Sequence, residues 1–416
     1  MAASGSDSEF LTALGREHDQ ATTSAPVFVT ALEERIERSK SHWSELTQPS
    51  QCLSLEDEAA IKLENEELFK TLERHPEWGE FFYYFGDHTK VLGSMGLLEL
   101  GEKFAEGAQA ELFHARIQSW DPELIEWDQE SGREWVVKVF RKGTLMQHLQ
   151  QQWPNGLFKM SAHIIEHTRL GKPLRDRHYC NVHCATLLED GRFAFVMVKE
   201  EEDLRTVIDR KMLERGRDCG PFQKEVVEEI MYRVALGMDQ LHILDIVHRD
   251  LKASNVLVDP SPDGAYLYCF VADFESSVGV VGSGFWRAPE ILQACRDKNV
   301  SKRPELFSKS ADAYSYGMTY YEVLTGRVPF QDHPLSDQRS LLTDLVINHD
   351  LRPEVPEHVD DWACELLQWC WKSDPNARPS FEDILSFIEA NSELGYIKHQ
   401  AAKRVIFMSL DGNVVR

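Results

Sequence analysis

Residues 246–259 read IVHRDLKASNVLVD. A carboxylate, an ammonium and an amide stand there at fixed offsets: Asp250, Lys252 and Asn255. The carboxylate of Asp250 can accept the proton of an attacking hydroxyl, Lys252 can hold the charge of a transferring phosphoryl group, and Asn255 can offer a metal its side-chain oxygen. Phosphoryl transfer asks of a protein mainly positioning and charge neutralisation, and this set supplies both. The apolar run Val256, Leu257, Val258 predicts a short buried strand that fixes the loop.

Downstream, YLYCFVADFE (266–275) ends an apolar strand on a carboxylate, Asp273, well placed for Mg²⁺. Upstream, EWVVKVF (134–140) buries one lysine, Lys138, in an apolar strand, which requires an anionic partner. Pro221 to Leu244 places Val226, Ile230, Val234, Met238 and Leu241 at helical spacing, as a helix delivering the 246–259 loop would.

The HRDLKASN stretch resembles the catalytic loop of the eukaryotic protein kinase family, H-R-D-L-x-x-x-N. The resemblance covers roughly residues 93 to 391 and implies an α+β, two-lobed fold: a small β-rich lobe over 93–198 and a large helical lobe over 199–392. It implies ATP and Mg²⁺ (or Mn²⁺) as ligands and protein hydroxyls as substrates. In LELGEKFAEGAQAELFHARI, Ala105, Gly107 and Ala110 stand at the positions of G-x-G-x-x-G, with Leu112 in place of the following Val. Only one of the three glycines that let a backbone approach phosphates is kept. Lys138 matches the lysine that binds the α- and β-phosphates, with Val136 in place of the Ala over the adenine. Glu166, in HIIEHTRL, is its expected helix partner. In GRFAFVMVKEEEDL, Met197 takes the gatekeeper position and Val198, Lys199 and Glu200 offer backbone groups to adenine; Leu257 completes the nucleotide contacts. Asn255 and Asp273 are the implied metal ligands, and Glu275 replaces the glycine of D-F-G.

GSGFWRAPE (282–290) matches G-T-x-x-[YW]-x-A-P-E, with Ser283 where a threonine meets the catalytic aspartate and lysine. Ser276, Ser277 and Ser283 are candidate phosphorylation sites for which Arg249 offers a cation, or they are polar loop residues without a regulatory role. By resemblance, Asp312 braces the catalytic loop backbone, and Glu290 pairs with Arg378 of CWKSDPNARPSF. Lys252 and that ending resemble the tyrosine-kinase-like group of serine/threonine kinases, well populated in plants. Two readings stay open. One is an active serine/threonine kinase in signalling; the other is a pseudokinase scaffold, favoured by Ala105, Ala110, Val136 and Glu275.

The chain has 416 residues, a formal charge of −24 and 42% hydrophobic residues, enough for a two-lobed domain plus an extension. The acidic balance argues against a nucleic-acid partner. No apolar run is long enough for membrane insertion, and MAASGSDSEF has no secretory pattern, so a cytoplasmic or nuclear location is expected. In RHYCNVHC, His178, Cys180, His183 and Cys184 crowd together without the distant second pair of a zinc finger.

Ahead of the kinase-like region, residues 1–26 read as a disordered tail and 27–92 as an acidic, mainly helical extension. Helices are expected over 27–46 and 53–72, the second capped by Ser54 ahead of Glu56, Asp57 and Glu58. Trp78 and the run Phe81, Phe82, Tyr83, Tyr84, Phe85 must pack on something, either the small lobe or a protein partner. If they dock on the lobe as an inhibitor, deleting residues 1–88 should raise the rate. Residues 393–416 form a polar C-terminal tail.

Overall fold

The computed structural model describes residues 54–76, 82–84, 97–107, 110–118, 134–147, 178–180, 182–188, 190–216, 220–260, 267–274 and 282–392. The expected helix over 27–46, the terminal tails, Glu166, Glu275, Ser276 and Ser277 lie outside the described residues.

A six-stranded sheet has the order β1-β5-β6-β4-β3-β2. Its strands are β1 (Phe82–Tyr84), β2 (Leu97–Glu106), β3 (Ala110–Gln118), β4 (Trp135–Phe140), β5 (Val182–Leu187) and β6 (Phe193–Val198). β4 and β6 are buried along their whole length, which explains why both are apolar throughout rather than alternating. Trp135, Val137 and Val139 pack with Ala194, Val196 and Val198 in one core layer. Each valine among them contributes about 1.5 kcal/mol or more by leaving water. Val136 and Lys138 therefore point to the opposite face, opposite Met197 and Phe195 respectively.

The extension supplies part of this sheet. Helix α1 (Leu55–Glu73) begins at Ser54, whose hydroxyl accepts from the Asp57 amide at 3.1 Å, with three acids in the first turn. The Phe69 ring meets Phe82 edge-on at 5.8 Å, and β1 runs parallel to β5 in the register Phe82 to Ala185. Of the two occupants expected for the aromatic run, Phe82 takes the sheet. It does so at the edge opposite β2.

A second sheet, β7-β8-β9, joins Glu202–Asp203, Val256–Pro260 and Leu267–Val271. It carries the segments around Asn255 and Asp273. Around it pack α2 (Leu204–Arg215), α3 (Lys224–Ile243), α4 (Pro289–Arg296), α5 (Lys309–Thr325), α6 (Arg339–Asn348), α7 (Asp361–Cys370) and α8 (Phe381–Asn391). α5 is buried almost end to end, begins at the Ser308 cap and stops at Gly326 in the left-handed region. α3 buries Val227 instead of the expected Val226, together with Ile230, Val234, Met238 and Leu241. Among the described residues no helix is long and apolar enough to cross a membrane.

Candidate active site

The loop between α3 and β8 is held by two acids of α5. Asp312, 1% exposed, accepts the backbone N–H groups of His248 and Arg249, each at 2.8 Å, and meets His242 Nε2 at 2.9 Å. Arg249 adopts φ +70°, a left-handed conformation that an arginine takes only when its surroundings impose it. Its guanidinium lies over the Phe307 ring, and burial lowers its pKa below the usual arginine value. Glu322, also 1% exposed, accepts from the Ala253 amide at 3.1 Å, Trp286 Nε1 at 2.7 Å and Arg205 at 3.2 Å. Burial pushes its carboxyl above the ordinary range. Asp312 is expected here by family resemblance, whereas Glu322 belongs to no motif. Its only signal is an acid inside the apolar run YSYGMTYYEVL.

Within the braced loop, Lys252 Nζ donates to Asp250 Oδ2 at 2.7 Å and to Ser283 Oγ at 2.6 Å. Asn255 Nδ2 donates to the Asp250 carbonyl at 2.8 Å, directing the amide inward and leaving its oxygen as the group a cation would use. Asp250 Oδ1 is buried and has no hydrogen-bond partner among the described residues. A buried carboxylate oxygen without a donor is costly unless something arrives to supply one. Ser283, one of the three candidate phosphorylation sites, is thus bonded to Lys252; a phosphate there would place a second anion beside Asp250.

Across the cleft, Lys138 Nζ meets Asp273 Oδ1 at 2.8 Å. The lysine side chain is 7% exposed and the aspartate 56%, so the carboxylate opens to solvent while the ammonium does not. The Lys138 ammonium foremost holds the Asp273 carboxyl below the usual aspartate value. Asp273 has φ +64°, and the next residue, Phe274, is fully buried edge-on against Tyr179 at 5.8 Å. Tyr179 is fixed in turn by a bridge to Val271, which accounts for the RHYC segment as a support for this strand end.

Leu112, Val136 and Met197 stand on the face of the six-stranded sheet that carries Lys138. Leu112 stands opposite Lys138, Ala105 opposite Leu112, and Val136 opposite Met197. The Gly107 amide donates to the Ala110 carbonyl at 2.8 Å, closing the turn between β2 and β3. Leu257 lies on β8, half-buried, beside Asp203. Lys199 follows the gatekeeper strand directly. Its N–H already donates to the Glu134 carbonyl at 2.8 Å, and its ammonium bonds the Glu134 carboxylate and lies over Phe104. Glu290 and Arg378 form a two-pronged pair at 2.8 Å, the arginine fully buried and also bonded to the carbonyls of Lys372, Ser310 and Ser373.

Asp273 and Asn255 present hard oxygen donors, the chemistry that suits Mg²⁺ or Mn²⁺. Comparison with known proteins finds similarity to protein kinases. The protein kinase domain model matches residues 174–387. A probable serine/threonine-protein kinase of Dictyostelium discoideum is 38% identical over 162 residues, 38% of this chain and 11% of that protein. The serine/threonine-protein kinase STY17 of Arabidopsis thaliana is 31% identical over 178 residues, 41% of this chain and 28% of that protein. A light-sensor protein kinase of Ceratodon purpureus is 31% identical over 234 residues, 50% of this chain and 17% of that protein. The chain thus spans less than a third of the length of these relatives.

Proposed function

The chain belongs to the protein kinase family, and on that footing we propose that it is an active serine/threonine kinase transferring the γ-phosphoryl of ATP to protein hydroxyls in signalling. The tryptophan-to-phenylalanine ending WKSDPNARPSF and the likeness to the Arabidopsis relative support placing it in the tyrosine-kinase-like group, and a plant-type lineage with it. The domain spans proposed for it are 93–198 for the small lobe and 199–392 for the large lobe, with extensions on either side.

The observation that carries this reading is the open hydrogen-bonding position on Asp250 Oδ1, beside Lys252 and Asn255, whose side chains are bonded to the same aspartate. A substrate hydroxyl would fill it and pass its proton to the carboxylate. Lys252, already bridging Asp250 and Ser283, would hold the γ-phosphoryl charge, and Lys138 the α- and β-phosphates. Asn255 and Asp273 would hold the divalent cation, which when bound neutralises charge on the phosphates. Adenine would lie between Val136 and Leu257, against the backbone of Val198 and Glu200.

The test is an autophosphorylation and generic-substrate assay with Mg-ATP or Mn-ATP, run beside Asp250→Asn. Incorporation lost in the variant supports the enzyme; incorporation that survives there is contamination. The scaffold alternative draws on Ala105, Ala110 and Val136, which narrow the nucleotide site, and predicts no incorporation in either protein. An acidic extension that recruits a protein partner is compatible with both.

A further inference from the structure

α1 touches the lobe through one buried polar side chain. Asn65, 2% exposed, donates from Nδ2 to the Thr144 carbonyl at 3.0 Å and to the Gly191 carbonyl at 3.2 Å, and accepts the Met146 amide at 2.8 Å. A buried asparagine can make few more bonds than this, so the side chain is close to saturated. Its partners are all backbone groups, which would be stranded without it. The fit is tight: a Cβ on Gly191 (φ +81°) would lie 2.4 Å from Lys62 Cγ of α1.

Two of the three partners lie on the segment that leaves β4 just after Lys138, and the same segment reaches the turn at Gly107. Arg141 donates to the Gly107 carbonyl from Nη2 at 2.8 Å and from Nε at 3.3 Å, and pairs with Glu106 at 2.5 Å. Gly107 does not use the freedom of glycine here. It has no left-handed φ, and an added Cβ would meet only the Ala110 carbonyl, at 3.7 Å. The turn that has lost two glycines is gripped from outside by a guanidinium.

We infer that α1 is a working part of the nucleotide site, with Asn65 a positioning residue that sets the Gly107 turn through residues 141–146 and Arg141. The inference rests on the reading of that turn and Lys138 as the triphosphate site. It reverses the sign expected of an inhibitory extension: β1 joins the sheet edge opposite β2, and α1 supports the turn instead of blocking it. Loosening α1 should weaken nucleotide binding.

The test is calorimetric titration of Mg-ADP into the full chain and into Asn65→Asp, Arg141→Met and the double variant, well below their melting temperatures. Aspartate keeps the shape and the acceptor of Asn65 but loses both donors. Each single change is expected to raise Kd about tenfold, and the double by little more than either, because coupled groups do not add. Gly191→Ala, which crowds Lys62 of α1, should raise Kd in the same direction and serves if Asn65→Asp does not fold. A lowered melting temperature with unaltered Kd overturns the inference, as do fully additive effects. A parent protein that binds nucleotide while all variants match it sinks this inference alone; a parent that binds none sinks the functional reading as well.

Discussion

The loop around Asp250 is held from beneath by buried acids of one helix, whereas the turn at Gly107 is held from the side by charges at the surface. Asp312 and Glu322 are each 1% exposed and grip backbone amides and an indole. Around the turn, Lys103, Glu106, Glu111, Arg141 and Arg192 form a chain of ion pairs, most of them a fifth to two-fifths exposed. Buried pairs are costly to break because the partner stays behind unsolvated, while exposed ones are screened and worth little each. The reacting groups therefore sit on a foundation that fails only with the lobe, and the phosphates would be met by a part that can be tuned.

The largest effect should come at Asp250. Replacement by Asn keeps the shape and removes the base, and phosphate transfer should fall about 10³-fold, read as incorporation at saturating ATP; a fall below tenfold would mean the loop does not hold the base. Next, Glu322→Ala strands Arg205, Trp286 Nε1 and the Ala253 amide and should cost about 3 kcal/mol of unfolding free energy in a denaturant titration. A loss under 1 kcal/mol would erase the contrast between the two regions. Arg378→Met, which leaves Glu290 without its partner, should cost a similar ~3 kcal/mol with no change in nucleotide affinity for the protein that remains folded.

At the turn the effects shrink. Lys103→Met should leave stability nearly unchanged, and any small change should vanish in high salt, so a large, salt-independent change would show the turn to be buttressed like the loop. The smallest expected effect is one of pH. Lys138 holds the Asp273 carboxyl below its ordinary value of 3.8, so the stabilisation from the ionised pair is present above that value and lost as pH falls through the depressed folded value. Unfolding free energies of the parent and Asp273→Asn should then differ by a constant amount between about pH 8 and 5. A difference that narrows across that window would show the carboxyl titrating too high for the pair to be formed.

The same contrast explains what could be read from the chain. Asp250, Lys252 and Asn255 lie in one contiguous run whose spacing carries their chemistry, while Asp312 and the Glu290–Arg378 pair are legible through the resemblance to kinase motifs. Asn65 and Glu322 have neither. A helical asparagine ordinarily faces water, and the carbonyls that bury this one are 79 and 126 residues away. Glu322 is decided by Arg205, 117 residues earlier in the chain. β1 is three residues long, inside a run of aromatics, and pairs in parallel with a strand about a hundred residues later. Local periodicity does not reach that far. The bond from the Lys199 N–H to the Glu134 carbonyl likewise depends on the pairing of β4 with β6, which local spacing does not show.

That distant pairing also orders events during synthesis. Residues 82–84 leave the ribosome about a hundred residues before the strand they accompany, and the helix carrying Asn65 earlier still. Until β5 and β6 have emerged, Phe69 and Phe82 share no lobe to enter, and non-local pairing of this kind is slow to form. Nascent chains should thus hold their N-terminal aromatics exposed through the making of the whole small lobe, a window in which chaperone capture would concentrate.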